Sequence, residues 1–240
     1  MQEDAHIILA IPGAWPTRAE IVGAIVRQGR FLFSGDTITD LTTQLSYSLD
    51  IHERDEKLAS AIAFAGQHSI TREDVAKLQQ HTFVLYLIGP GGVSAAARDI
   101  MPVAESLLQA GGMAVQVLTS GAAHSAAYWR MITQHRANPP ALFDAYVTFA
   151  QQEGRFFSVG MQVFGLPDAL VEGVLDPHEA GELIQTFLLF TLLENPALKD
   201  GQAFRIDPQA PTYRLSYGPS DLQELDNLMY NPYGVWRMLA

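Results

Sequence analysis

The segment that most constrains this chain is Gly111-Gly112-Met113-Ala114-Val115-Gln116-Val117-Leu118-Thr119-Ser120-Gly121-Ala122-Ala123-His124-Ser125, which runs on as Ala126-Ala127-Tyr128-Trp129. The glycine pair predicts the end of one helix, the apolar run a short strand, and the small residues a tight turn into a second helix. That turn sets two serines and a histidine just past the carboxyl end of the strand, where open sheets covered by helices receive ligands.

The rest of the N-terminal half supplies partners for that strand. His6–Ile11 is an uninterrupted apolar run closed by Pro12-Gly13, and Phe83–Ile88 is another, closed by Gly89-Pro90-Gly91-Gly92. Both read as buried strands. Thr17 and Glu20 form a capping-box signature before the apolar stripe of Ile21, Val22, Ile25 and Val26. Phe31-Leu32-Phe33 reads as a strand, and Leu45, Tyr47, Leu49 and Ile51 alternate as a half-exposed one. A short helix is expected from Ile70 onward, with Val75 and Leu78 inward. The order to this point is β-α-β-β-α-β, a ferredoxin-like split β-α-β pattern over residues 1–92.

Beyond it, a helix is expected from Ser94 to about Ala110 with an accommodation at Pro102. His135–Pro140 reads as a loop and the seam between lobes, and Leu142, Tyr146 and Phe149 as a helix reaching Gly154. Phe156–Leu166 reads as a strand. Asp176-Pro177-His178-Glu179 predicts a helix start with Asp as cap and Pro in the first turn. Phe204–Ile206 and Tyr213–Tyr217 predict a hairpin, and the tail from Asn231 is expected to dock. The fold class is therefore α+β with a mixed sheet: a ferredoxin-like lobe continued by a second α/β lobe over 93–240, the whole expected to be one compact unit.

Composition narrows the function classes. With 240 residues, 48% apolar and 17% charged, the chain can bury a sizeable core. A formal charge of −11 opposes phosphate binding, and Arg27 with Arg30, or Arg130 with Arg136, are too sparse to form a basic stripe. No nucleic-acid partner is expected. Cysteine is absent, which removes disulfides, thiolate nucleophiles and Cys-ligated metals. The start, Met-Gln-Glu-Asp, is acidic where a secretion signal is basic, and the longest apolar run, near Phe187–Leu193, is too short for a bilayer. The expectation is a cytoplasmic protein without membrane contact, cofactor or metal.

Three groups of residues are candidates for chemistry or binding. Ser120, His124 and Ser125, with Asp168 as orienting carboxylate, have the residue types of a hydrolase, in which a hydroxyl needs a base and the base an acid. Leu118-Thr119-Ser120-Gly121 is not the Gly-x-Ser-x-Gly elbow, and the competing expectation is that a serine caps the following helix while His124 packs. His178 and Glu182 lie four apart on one helix face but lack the second histidine of a metalloprotease helix. Gly89-Pro90-Gly91-Gly92 lacks the Lys-Ser/Thr of a phosphate loop, and Pro90 removes an amide donor, so a turn is expected. Tyr128, Trp129, Tyr230, Tyr233 and Trp236, with Arg237, form an aromatic set suited to a pocket or a protein interface.

Three segments carry a resemblance. Gly112-Met113-Ala114-Val115 through Gly121-Ala122-Ala123-His124-Ser125 with Trp129, Ser158-Val159-Gly160-Met161 through Phe164-Gly165-Leu166-Pro167-Asp168, and Asn231-Pro232-Tyr233-Gly234-Val235-Trp236 together resemble a bacterial family of domain-of-unknown-function type (DUF4261-like). The resemblance covers roughly the C-terminal two thirds. It implies a bacterial cytosolic α/β protein and no agreed activity, cofactor or catalytic residue. The function expected is a non-catalytic binding or regulatory module that docks a protein partner through Tyr128, Trp129, Tyr233, Trp236 and Arg237. An antitoxin- or immunity-like inhibitor of a basic toxin is one such module, by charge complementarity. The alternative is a small-molecule hydrolase using the Ser120, His124, Ser125 and Asp168 constellation.

Overall fold

The structure is a computed structural model and describes residues 5–173 and 176–239. The elements are β1 (His6–Gly13), α1 (Arg18–Val26), β2 (Phe31–Ser34), β3 (Thr37–Asp40), β4 (Ser46–Glu53), α2 (Leu58–Ala65), α3 (Arg72–Leu78), β5 (Phe83–Pro90), α4 (Ser94–Gln109), β6 (Ala114–Val117) and β7 (Ala123–Ser125), followed by α5 (Ala126–Gln134) and α6 (Pro139–Tyr146). The chain continues through β8 (Thr148–Gln152), β9 (Arg155–Val159), a 3-10 turn (Met161–Phe164), β10 (Asp168–Glu172), α7 (Pro177–Glu194), β11 (Ala203–Phe204), β12 (Tyr213–Gly218) and β13 (Val235–Leu239). The class is α+β.

The first sheet has the order β2-β3-β4-β5-β1-β6-β7, and every neighbouring pair is antiparallel. The apolar runs expected as buried strands are β1 and β5, paired along their whole length from His6↔Pro90 to Gly13↔Phe83. The central order β6-β1-β5-β4 is compatible with a split β-α-β sheet, but its membership differs from the expectation. β6 pairs with β1, so this sheet runs past residue 92 and takes in the segment around His124. Several elements escaped the sequence pattern: β3 and α2, and also β7, which lies in the segment read as a turn, and β10, for which no strand was expected. β3 is mostly polar, with Ile38 as its buried apolar residue and Asp40 buried against Arg30 at 2.7 Å. α2 has no side-chain cap and no acid in its first turn, and it is apolar nearly all round, so neither start signal nor stripe marks it.

The second sheet, β11-β12-β13-β10-β9-β8, is mixed: β10 and β13 are parallel and the other pairs antiparallel. The expected tail is thus an interior strand. The expected 135–140 loop instead contains the start of α6, where Pro139 and Pro140 occupy the first turn after Asn138. That helix stops at Tyr146. Phe149 belongs to β8, which turns back into β9 through Glu153 and Gly154. The strand expected through Leu166 ends at Val159, because Gly160 adopts φ 126° and the chain turns into the 3-10 segment. A Cβ on Gly160 would lie 2.2 Å from the Tyr146 carbonyl oxygen, so only glycine fits.

One apolar cluster spans both sheets, from Ile7, Leu9 and Leu87 through Trp129 and Tyr146 to Phe187 and Met238. A smaller one lies where α2 and α3 cover the other face of the first sheet, with Ile62, Leu78, Val84 and Ala123. Helix α4 packs on β1, on β5 and on the 3-10 turn, and it continues through Pro102 without a break in the helix. Among the described residues no helix is long and apolar enough to cross a membrane.

Candidate functional site

His124 sits on the short edge strand β7, 1% exposed. Its Nε2 lies 3.0 Å from the Ala145 carbonyl oxygen, and its Nδ1 lies 3.2 Å from Nε2 of His68. A carbonyl only accepts, so these partners assign the proton to Nε2 of His124 and leave its Nδ1 to accept from His68. Burial lowers the His124 pKa to about 4, which keeps the ring neutral. The ring stacks on Tyr128 at 5.4 Å between centroids and meets His68 edge-on at 5.3 Å. The Tyr128 hydroxyl donates to Asp144, and burial together with that carboxylate pushes its pKa up to about 12. A cavity of about 320 Å³ opens beside this group, lined by His68, His124, Phe143, Asp144, Phe149 and Gln185 among others.

The serines have other duties. Ser120 Oγ accepts from Ala122 N at 3.3 Å inside the turn, and Ser125 Oγ caps α5 by accepting from Tyr128 N at 3.2 Å. Both His124 nitrogens already have partners, neither of them a serine. Asp168 lies on β10 in the other sheet and bonds to neither. The Ser120–His124–Ser125–Asp168 constellation of the hydrolase reading is therefore not brought together. His124 is the packed, backbone-bonded histidine of the competing expectation.

Asp168 organises a second polar cluster, sealed inside the molecule. Its Oδ1 accepts from Ser158 Oγ at 2.9 Å and from Met161 N at 3.3 Å; its Oδ2 accepts from Asn231 Nδ2 at 2.7 Å. Burial pushes its pKa up to about 6 against the pull of those donors. Asn231 also donates to Leu166 O and accepts from Tyr233 N, and Ser158 Oγ accepts from Ala169 N. One carboxylate thus joins β9, the 3-10 turn, β10 and the approach to β13. Sequence reasoning singled out Asp168 alone; Ser158 and Asn231 lay in the quoted segments, but nothing in their spacing showed that they converge.

The aromatic set divides. Trp129 is fully buried with its Nε1 donating to Met101 O, so it is a core residue and not a contact for a partner. Trp236 is buried in β13 against Tyr217, ring centroids 5.0 Å apart. Tyr233 is half-buried and packs beside Gly92. Gly89 and Pro90 are the last residues of β5, paired with Ile7 and His6, so the turn expected over Gly89–Gly92 is confined to Gly91 and Gly92, where Gly91 N bonds to Ala5 O at 2.7 Å. Tyr230 lines a surface pocket of about 640 Å³ together with Arg155, Asp221 and Leu225. Arg237 bonds Asp221 at 2.6 Å, and Arg155 approaches the same carboxylate at 3.5 Å. These pairs hold down the start of the 219–230 segment, on which Leu225 is 77% and Leu228 56% exposed beside Glu224 and Asp226. Sequence reasoning passed over this segment, although Leu222, Leu225 and Leu228 recur at every third position among acids.

His178, Glu179 and Glu182 are exposed at the start of α7, and among the described residues no group of three or more His, Asp or Glu side chains is placed to hold a metal ion. Comparison of the chain with protein-family models, with curated proteins and with solved structures finds no match.

Proposed function

We propose that this protein is a non-catalytic docking module for a basic partner protein, engaged through the acidic 219–230 segment. The observation that carries the reading is the contrast within that segment: its base is tied by Asp221 to Arg155 and Arg237, while Leu225 and Leu228 stand out into solvent. Exposed large apolar side chains on a tethered loop are the form of an interface anchor. Among the described residues neither Glu224 nor Asp226 has an ion-pair partner, and the chain carries a net charge of −11, so the complementary surface is cationic around an apolar groove. Membership of the DUF4261-like bacterial family, a cytoplasmic setting and a lack of nucleic-acid binding belong to the same reading.

The test compares the native protein with Leu225→Ser/Leu228→Ser and with Glu224→Lys/Asp226→Lys, each immobilised and exposed to lysate at low and high salt. A basic protein retained by the native chain, lost with either double variant and released by salt, is the expected result. Identical retention by all three chains overturns it. So does a hydrolase activity that His124→Ala abolishes while leaving thermal melting unchanged.

A further inference from the structure

The cavity beside His124 offers hydrogen-bond acceptors and almost no donors. Asp144 receives the Tyr128 hydroxyl on Oδ2, which leaves Oδ1 and the carboxylate charge unmatched by any cation among the described residues. His68 gives its Nε2 hydrogen to His124, so in its neutral form only the Nδ1 lone pair is left. Thr148, also on the wall, gives its hydroxyl hydrogen to Ser120 O at 2.7 Å and keeps only lone pairs. Of the polar side chains on the wall, Gln185 alone has donors to offer. Among the described residues no Lys or Arg lines the space, and two aromatic rings, Phe143 and Phe149, stand 6.1 Å apart and tilted by 43°.

We propose that this cavity binds a primary alkylammonium group on a short apolar body, with Asp144 as counter-ion. An ammonium supplies the donors that Asp144, His68 and Thr148 lack, and its positive charge sits favourably near aromatic faces. An anion meets an unneutralised carboxylate, and a neutral apolar guest leaves the acceptors without hydrogens. The volume, near the low end for ligand pockets, suits a butyl-sized body. The ammonium comes either from a free small amine or from a lysine side chain of a partner protein. This inference is independent of the leucine-bearing segment, which lies outside the cavity lining.

The test titrates the native chain, labelled for NMR, with butylammonium chloride, with butanol and with an acetylated, amidated lysine peptide. Butylammonium is expected to shift the His68 and His124 ring signals with a millimolar dissociation constant, and butanol to bind about tenfold more weakly or worse. Asp144→Asn keeps an acceptor for Tyr128 and is expected to fold normally while losing about tenfold in butylammonium affinity. Competition by the lysine peptide at lower concentration than the free amine supports the proposal with a protein-borne source; the reverse order supports it with a free amine. Equal binding of butanol and butylammonium, unchanged affinity in Asp144→Asn, or ring signals that stay fixed up to high amine concentration overturns it.

Discussion

His124 and Asp168 are both buried, both bonded to backbone and both free of a formal ion pair, yet burial acts on them in opposite directions. Removal from water disfavours the charged form in each case, so it lowers the imidazole to about 4 and raises the carboxyl to about 6. They differ as well in what surrounds them. Ser158 and Asn231 are as buried as Asp168 itself, whereas His68 and Asp144, which line the cavity, are exposed and Tyr128 is half-buried. A sealed cluster serves architecture; a cluster with one open side has room beside it for a ligand.

The largest test removes the chain from Asn231 onward. That deletion takes away β13, the partner of both β10 and β12, and leaves Asp168 Oδ2 without its donor. Loss of the buried Val235, Trp236 and Met238 and of that hydrogen bond is expected to cost about 5 kcal/mol or more by chemical denaturation. An unchanged unfolding midpoint would place the sealed cluster's weight elsewhere.

Next in size is the pH dependence. Folded Asp168 holds its proton to about pH 6, well above the ordinary 3.8, so between about pH 4 and 6 the native state binds the extra proton and stability falls as pH rises. Folded His124 gives up its proton above about pH 4, below the ordinary 6.5, so between about pH 4 and 6.5 the unfolded chain binds the extra proton and stability rises with pH. Each contribution is about 3 kcal/mol, and in the native protein they offset one another. Asp168→Asn is therefore expected to leave a stability profile that climbs from pH 4 to 6.5, and His124→Ala one that declines from pH 4 to 6. Denaturation midpoints at several pH values read both slopes, and parallel profiles for the two variants would break the comparison.

At fixed neutral pH, His124→Ala is expected to cost about 2 kcal/mol, through lost packing and the Ala145 carbonyl left unpaired. Water entering from the cavity limits that loss, which keeps it below the effect of the deletion. The smallest effect is expected for His68→Ala, at about 0.5 kcal/mol by the same measurement, because its ring is exposed and the hydrogen bond to His124 is readily replaced by water. A loss at His68 equal to that at His124 would mean that the open cluster is as structural as the sealed one.

How far these clusters could be read beforehand follows from the range of the interactions. Local signals held where the chemistry is local. Asp176 caps α7 by accepting from His178 N, Thr17 caps α1 by accepting from Glu20 N, though without the return bond from the Glu20 side chain that a full capping box has, and the apolar runs of β1 and β5 pair as buried strands. Signals failed where partners are remote. His68 and His124 are 56 residues apart, and Asp168 and Asn231 are 63 apart. No periodicity or spacing rule joins such positions; only the sheet registers do. The hydrolase reading drew on residue types at a turn, and the turn used the two hydroxyls for its own backbone amides. The end of the predicted strand at Val159 depended on the space available at Gly160, which is set by the Tyr146 carbonyl and invisible in a string of residues.

The place of β13 has a consequence for biosynthesis. β10 is complete at Glu172, but its parallel neighbour begins only at Val235, after α7 and the β11–β12 hairpin. At ribosomal rates of about 5–20 residues per second, the gap between those two positions corresponds to about 3–13 s. For that interval one side of β10 carries free amides and carbonyls next to apolar side chains, the arrangement that recruits foreign strands. The nascent protein is thus most exposed to aggregation, and most dependent on chaperone cover, while its second sheet waits for its last interior strand.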